Sequence, residues 1–303
     1  MLDLELVSKF ILSNITVHIP KGISVGLIGA SGAGKTTFLK LACGLLSPER
    51  GNVYTFGKNP VENRSLLGKK MGCLLEKAPL FHGERSVLDN FRELQMVHRM
   101  PETEFLKEYR RLAECFDIGK QERELVKNLS FGQRRRAELV AVLLHRPELL
   151  LLDEPTTGLD ETAKTVLREI LQERIQDGMT VVMTSHELQE VSRICQRIMV
   201  LKQGTQMYYG EEAALLRQYA PMDCMRLKLS GRLPDLEDLP VKQYTLSGEE
   251  LKLRYNSNHV TAAEILEHVL RQTSVQEITI KKPDLAEVIR NLELQEKWED
   301  RQS

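Results

Sequence analysis

The chain has 303 residues, about twice the size of a common single domain, so it can bury a sizeable core and has room for two domains. Its 42 Lys and Arg nearly cancel its 43 Asp and Glu, which excludes a global positive field that would draw it onto nucleic acid or anionic lipid. The five cysteines (Cys43, Cys73, Cys115, Cys195 and Cys224) are odd in number, widely spaced and never arranged Cys-x-x-Cys, which argues against a disulfide framework and for reduced thiols in the cytosol.

The N-terminus carries acidic residues at alternate positions where a secretory leader needs a basic start and an apolar run, so export is not expected. Apolar stretches such as Leu139 to Leu144 fall well short of the roughly 18 residues that span a bilayer. Alternation at Leu2, Leu4 and Leu6, and again at Ile15, Val17 and Ile19, predicts half-buried strands of an antiparallel layer, followed by a turn at Pro20 to Gly22. Ile23 to Ile28 is continuously apolar, as a strand buried on both faces must be, and leads through a glycine-rich loop into a helix from Lys35 to about Cys43. From Ser86 to about Phe116 the period is helical, with Pro101 separating two charged segments, and this predicts an inserted helical subdomain. Ala137 to Leu144 continues as helix, Leu149 to Leu152 as buried strand, Thr162 to Ile175 as helix and Thr180 to Thr184 as buried strand, which implies a mostly parallel sheet. Near Ala220 the pattern shifts to short strands around Met225 to Leu229, Leu251 to Tyr255 and Val275 to Lys281, with helices at Thr261 to Arg271 and Pro283 to Leu292. The predicted domains are 1–219, with the helical subdomain at about 86–145, and a small α+β domain at 220–303.

Three motifs carry chemistry. Gly29, Ala30, Ser31, Gly32, Ala33, Gly34, Lys35 and Thr36 satisfy the phosphate-loop pattern between a buried strand and a helix, with Thr37 next along that helix. Glycines let successive N–H groups turn toward phosphate oxygens, Lys35 reaches the β- and γ-phosphates, and the Thr36 hydroxyl ligates Mg²⁺. No Asn-Lys-x-Asp element follows to read guanine, which favours ATP. Leu149 to Pro155 then puts Asp153 and Glu154 at a strand end, where one carboxylate can hold Mg²⁺ and the other act as general base on an attacking water. Between the two lies Leu129, Ser130, Phe131, Gly132, Gln133 and three arginines. Ser130 and Gln133 fit a helix capping box, and a capped N-terminus also offers a hydroxyl and N–H groups to a phosphate, so both readings stand.

With the phosphate loop, the Leu-Ser-x-Gly-Gln element and Leu-Leu-Asp-Glu-Pro in this order, residues 1 to 215 resemble the ATP-binding cassette (ABC) ATPases. The resemblance implies an α/β fold with an antiparallel β layer, a parallel sheet core, a helical subdomain and a P-loop ATPase site. It gives Phe10 the role of stacking on adenine, a core phenylalanine being the alternative, and His186 the role of contacting the γ-phosphate beside Glu154. Asp160, in Thr157-Gly158-Leu159-Asp160, falls at the interface of two cassettes packed head to tail, where Ser130, Gly132 and Gln133 of one close on the nucleotide of the other. A second such subunit and separate membrane-spanning permease subunits are the implied partners, at the cytoplasmic face of the membrane.

Two residues depart from the family pattern. Glu76 stands where a glutamine is usual; it can ligand Mg²⁺ but adds negative charge beside the γ-phosphate and cannot donate a hydrogen bond. Phe131 replaces a signature glycine and must point away from the phosphate or into the neighbouring cassette. The run Arg134 to Arg136 lacks interleaved aromatics and reads as a solvated or subunit-contacting face rather than a nucleic-acid site. Elements such as Gly-Gln-Arg-Arg-Arg-Ala-Glu-Leu and Leu-Leu-His-Arg-Pro look most like ABC-2 type exporters, including viologen and daunorubicin-resistance types. A nucleotide-dependent regulatory module with weak hydrolysis is the alternative suggested by Glu76 and Phe131. The region from Pro221 holds no catalytic motif, and its position suggests a regulatory or dimer-stabilising role.

Overall fold

The computed structural model describes residues 1–75, 80–220, 222–230, 234–235, 241, 243–257 and 259–299, with side chains as far as residue 292. The chain divides after Glu212 into two compact units, at the head of the helix that precedes Ala220 rather than at its end.

The first unit opens with β1 (Leu2–Lys9) and β2 (Leu12–Ile19), then β3 (Ser24–Ile28) and α1 (Lys35–Ala42). It continues through β4 (Arg50–Thr55), the single turn α2 (Arg64–Leu67) and β5 (Met71–Leu74). Three helices follow, α3 (Val87–His98), α4 (Glu102–Cys115) and α5 (Phe131–Leu144). Then come β6 (Leu149–Leu152), α6 (Glu161–Gln176), β7 (Thr180–Thr184), α7 (Leu188–Ile194), β8 (Arg197–Lys202) and β9 (Thr205–Gly210).

The main sheet has the order β5-β6-β7-β3-β8-β9, parallel except for the edge strand β9. Every residue of β3, β6 and β7 is buried, as strands covered on both faces require. A smaller antiparallel sheet, β2-β1-β4, shares one core with it. Leu2, Leu4, Ile15 and Val17 share one buried apolar cluster with Phe38 and Leu39 of α1 and with Leu149, Leu151 and Val182 of the main sheet. The one break in the predicted alternation is Leu6. It adopts φ 52°, shifts the register with β2 between Leu4 and Val7, and stands 64% exposed while Val7 turns inward. The extra residue of a bulge reverses the facing of all that follows it.

Pro101 heads α4, and the helices pack through Phe81, Phe91, Phe105 and Tyr109, with Phe91 and Tyr109 centroids 4.9 Å apart. One buried carboxylate ties this helical part to the sheet. Glu108 of α4 pairs with Arg174 of α6 and with Arg146 at 2.6 Å, and Arg174 is itself 5% exposed. A second tie is aromatic. His145, which caps α5, stacks on His98 at the end of α3 with centroids 3.8 Å apart, and its Nε2 lies 3.0 Å from the Met71 carbonyl of β5.

The second unit contains α8 (Glu212–Tyr219), β10 (Met222–Ser230), β11 (Gln243–Ser247), β12 (Glu250–Asn256), α9 (Ala262–Leu270), β13 (Ser274–Lys281) and α10 (Leu285–Glu299). Its antiparallel sheet has the order β11-β12-β10-β13. Met225, Leu227, Leu229, Leu251, Leu253 and Tyr255 project from one face onto Ile265 and Val269 of α9. Strand β11 has no counterpart among the elements expected from the sequence, because Gln243 to Ser247 lacks an apolar period long enough to announce it.

Burial and the neighbouring His98 push the His145 imidazole down to about 4, with the Met71 carbonyl opposing. The folded state therefore binds fewer protons than the unfolded state between about pH 4 and 6.5. Stability is full above that window and falls by about 3 kcal/mol as pH drops through it. Urea unfolding at pH 7 and pH 4 should show this component in the wild type and not in His145→Gln. Glu108→Ala leaves Arg174 buried without its counter-charge and should destabilise the protein by about 3–5 kcal/mol in the same assay at pH 7.

Candidate active site

The order of the main sheet sets β6, β7 and β3 side by side, so the loops leaving their carboxyl ends emerge together. After β3 the chain runs through Gly29, Gly32 and Gly34, with φ of 154°, 82° and 103°. Gly34 needs its positive φ to curl the loop onto α1, and a Cβ there would strike the side chain of Leu12. Ala30, Ser31 and Gly32 are exposed while Ala33, Gly34 and Lys35 are buried. The Lys35 ammonium donates to the carbonyls of Gly29 at 2.8 Å and Ala30 at 3.1 Å, bridging the loop's own backbone. Burial pulls its pKa below the usual lysine range, and the charges of Glu154 and Asp153 oppose that shift.

Asp153, at 2% exposure, accepts a hydroxyl on each carboxylate oxygen: Thr36 on one at 2.8 Å and Thr184 of β7 on the other at 2.7 Å. Thr184 also accepts the Glu154 N–H at 3.0 Å. Glu154 follows with φ 49°, a left-handed backbone. One of its oxygens, Oε2, accepts the His186 N–H at 2.9 Å. The other, Oε1, is buried without a hydrogen-bond donor among the described residues, and His186 Nε2 stands 3.5 Å from it. The imidazole itself is two-thirds exposed.

Lys35, Thr36, Asp153, Glu154 and His186 therefore converge. A hydroxyl and a carboxylate are hard oxygen donors suited to Mg²⁺, and a buried ammonium lying on carbonyls suits phosphate oxygens. The donor set fits both groups.

The signature lies apart from this cluster. Ser130 caps α5 through the capping box read from the sequence: Gln133 N–H donates to Ser130 Oγ at 3.2 Å, and Ser130 N–H donates to Gln133 Oε1 at 2.9 Å. Among the described residues no hydrogen bond joins Ser130, Gly132 or Gln133 to residues 29–37. Phe131 is 64% exposed with its ring edge against Gly158, and a Cβ on Gly132 would lie 2.8 Å from the Gly158 carbonyl. Asp160 caps α6 by accepting the Ala163 N–H at 2.8 Å. Phe10 is not a core residue: it sits at the β1–β2 turn with φ 53°, is 68% exposed, and carries Lys9 Nζ 4.8 Å over its ring. Glu76 lies outside the described residues.

Two participants were given no role in the site from the sequence. Thr184 ends a buried strand and reads there as an ordinary β residue. Arg135 belongs to the run expected to be a solvated or contacting face, yet it is 4% exposed and donates to the Glu154 carbonyl at 2.8 Å. Its spacing to the buried Leu139 and Val142 places it on the inward face of α5, a signal present in the sequence.

The ABC transporter family pattern matches residues 12–157. The linearmycin resistance ATP-binding protein LnrL of Bacillus subtilis is 27% identical over 296 residues, covering 94% of both chains. The bacitracin transport ATP-binding protein BcrA of Enterococcus faecalis is 31% identical over 227 residues, 74% of this chain and 72% of that one. Among solved structures, a dimeric post-hydrolysis state of the cassette MJ0796 bound to ADP and Pi superposes with a TM-score of 0.63 at 25% identity, over 70% of this chain and 98% of that one.

Because its hydroxyl serves both carboxylates' segments, Thr184→Val should cost about 1–3 kcal/mol in thermal or urea unfolding, and Thr184→Ser should restore most of it.

Proposed function

Since the chain belongs to the ABC transporter family of ATP-binding proteins, we propose that it is the ATP-hydrolysing subunit of an exporter, working as a pair on separate membrane-spanning subunits. The observation that carries this reading is the carboxylate of Glu154, held by the His186 N–H on one oxygen and, among the described residues, without a hydrogen-bond donor on the other, at the strand end next to Lys35.

In this reading Gly29 to Thr37 bind the phosphates. The Lys35 ammonium exchanges the Gly29 and Ala30 carbonyls for β- and γ-phosphate oxygens, and Phe10 offers an exposed ring to adenine. Thr36 and Asp153 would hold Mg²⁺, which supplies charge neutralisation on the phosphate oxygens when bound. Glu76 is proposed as a further oxygen ligand from its place in the motif order alone. Glu154 Oε1 takes a proton from water as the water oxygen attacks the γ-phosphorus, and ADP leaves with the electrons of the broken bond. His186 orients that water and contacts the γ-phosphate.

Ser130, Phe131, Thr157, Gly158 and Asp160 are all exposed, which supports their closing on the phosphates of a second subunit rather than on those of their own. An apolar cleft of about 260 Å³, lined by Cys43, Leu45, Met71, Leu94 and Val142, is proposed to receive a membrane subunit. The segments around it expose Leu45, Leu66, Met96 and Val97, each about half or more. No helix among the described residues is long and apolar enough to cross a membrane. By its likeness to ATP-binding subunits of transporters, we place the chain at the cytoplasmic face, held there by its partner.

Glu154→Gln removes the base and keeps the phosphate contacts. Steady-state turnover should fall by about 10²- to 10⁴-fold, with ATP binding retained and an ATP-bound dimer accumulating. Undiminished hydrolysis would overturn the assignment of Glu154.

A further inference from the structure

Among the described residues, strand β13 is an edge of the second unit's sheet, paired with β10 on one side only. All of its residues except Val275 are exposed. Ile278 and Ile280 lie opposite Leu227 and Met225 of β10 and so share the apolar face of the sheet, but beyond the cover of α9 they stand 46% and 43% exposed. Glu277, Thr279 and Lys281 occupy the other face. A bare edge bearing two exposed isoleucines is a template for another strand.

The sequence of β13 says which strand. In a closed antiparallel pair of identical strands, residues opposite one another must share a face, so the two-fold axis passes through a residue position. With the axis at Thr279, Glu277 of each copy faces Lys281 of the other, and Ile278 of each faces Ile280 of the other. The pairing has two opposite-charge pairs on one face and four isoleucines on the other. An axis at Ile278 sets Glu277 against Thr279 and Val275 against Lys281, and an axis at Ile280 brings Ile278 against Lys282. Only the Thr279 register matches charge with charge and apolar with apolar. Lys281 already pairs with Asp284 at 3.2 Å, but both side chains are at least half exposed, and such a pair gives way easily. The opposite edge, β11, carries no charge between Gln243 and Ser247, and pairing it with β13 of another copy would build open filaments rather than a closed dimer.

We propose that β13 pairs antiparallel with β13 of a second copy of this chain about an axis at Thr279, merging two four-stranded sheets into one of eight strands. The proposal rests on the two-copy reading above and gives it a nucleotide-independent component: the subunits stay associated when the phosphate sites are empty.

The test is the self-association of the full chain without nucleotide, by sedimentation velocity across a concentration series. The wild type should show a concentration-dependent dimer. Glu277→Lys opposes Lys with Lys at both pairs, and Lys281→Glu opposes Glu with Glu, so each variant alone should associate about tenfold more weakly. An equimolar mixture of the two restores both pairs and should recover the wild-type affinity. That rescue in trans cannot come from misfolding of either variant. A monomeric wild type, variants that associate as the wild type does, or a mixture that fails to recover would each overturn the proposal. The cassette reading is separated by ATP-driven association in the Glu154→Gln background: its loss counts against that reading and leaves the strand pairing standing, and its persistence in a Glu154→Gln, Glu277→Lys double variant shows the two contacts to be independent.

Discussion

Asp153 accepts one hydroxyl on each of its carboxylate oxygens, from Thr36 at the head of α1 and from Thr184 at the end of β7. The phosphate loop, the acidic strand end and the segment carrying His186 leave three adjacent strands, and this one side chain fastens them at the place where they emerge. Buried at 2% exposure, the carboxylate is tolerable only with such donors, so the hydrogen bonds that hold the loops together are also those that let the charge remain inside. The cost of burying Asp153 is met by the same geometry that the proposed chemistry would need.

A second constraint governs the helical part. The Glu108 carboxylate, reached by Arg174 and Arg146, crosses from α4 to α6 and to the end of α5, while His98 stacks on His145. Both contacts are polar or titratable, and the Arg111–Glu173 pair at 2.9 Å joins α4 to α6 beside them. They specify one placement of the helices more sharply than sliding aliphatic surfaces can. Arg135 works in the same direction on the sheet side. It is donated from α5 to the Glu154 carbonyl, and so links the helix that begins at Ser130 to the backbone of the proposed base.

Much of this was legible from residues alone. Strands buried on both faces are near-continuous apolar runs, so β3, β6 and β7 could be read directly, and the motif at each carboxyl end followed. Short-range rules also served: the Ser130–Gln133 capping box needs only four consecutive residues. What escaped depends on longer reach. Leu6 obeys the alternation locally and is turned out by a bulge that only pairing with β2 reveals. Arg135 carries a charge, and the pattern that assigns charges to the surface outweighed the helical spacing that places it inward. Strand β11 is held by its neighbour β12 rather than by its own composition. Phe10 left two alternatives open, and its exposure at a tight turn removes the core reading.

Lys35, bonded to the carbonyls of its own loop, has a consequence for how ligand enters. A desolvated ammonium without acceptors would pull the loop shut or draw in water, and a phosphate would then have to rebuild the cradle. Here two neutral oxygens keep its place. In the proposed role, arrival of a nucleotide would swap acceptors around the Lys35 ammonium, and departure would reverse the swap. In that role the loop would serve as a mould with a removable core, its cation already seated before a ligand arrives.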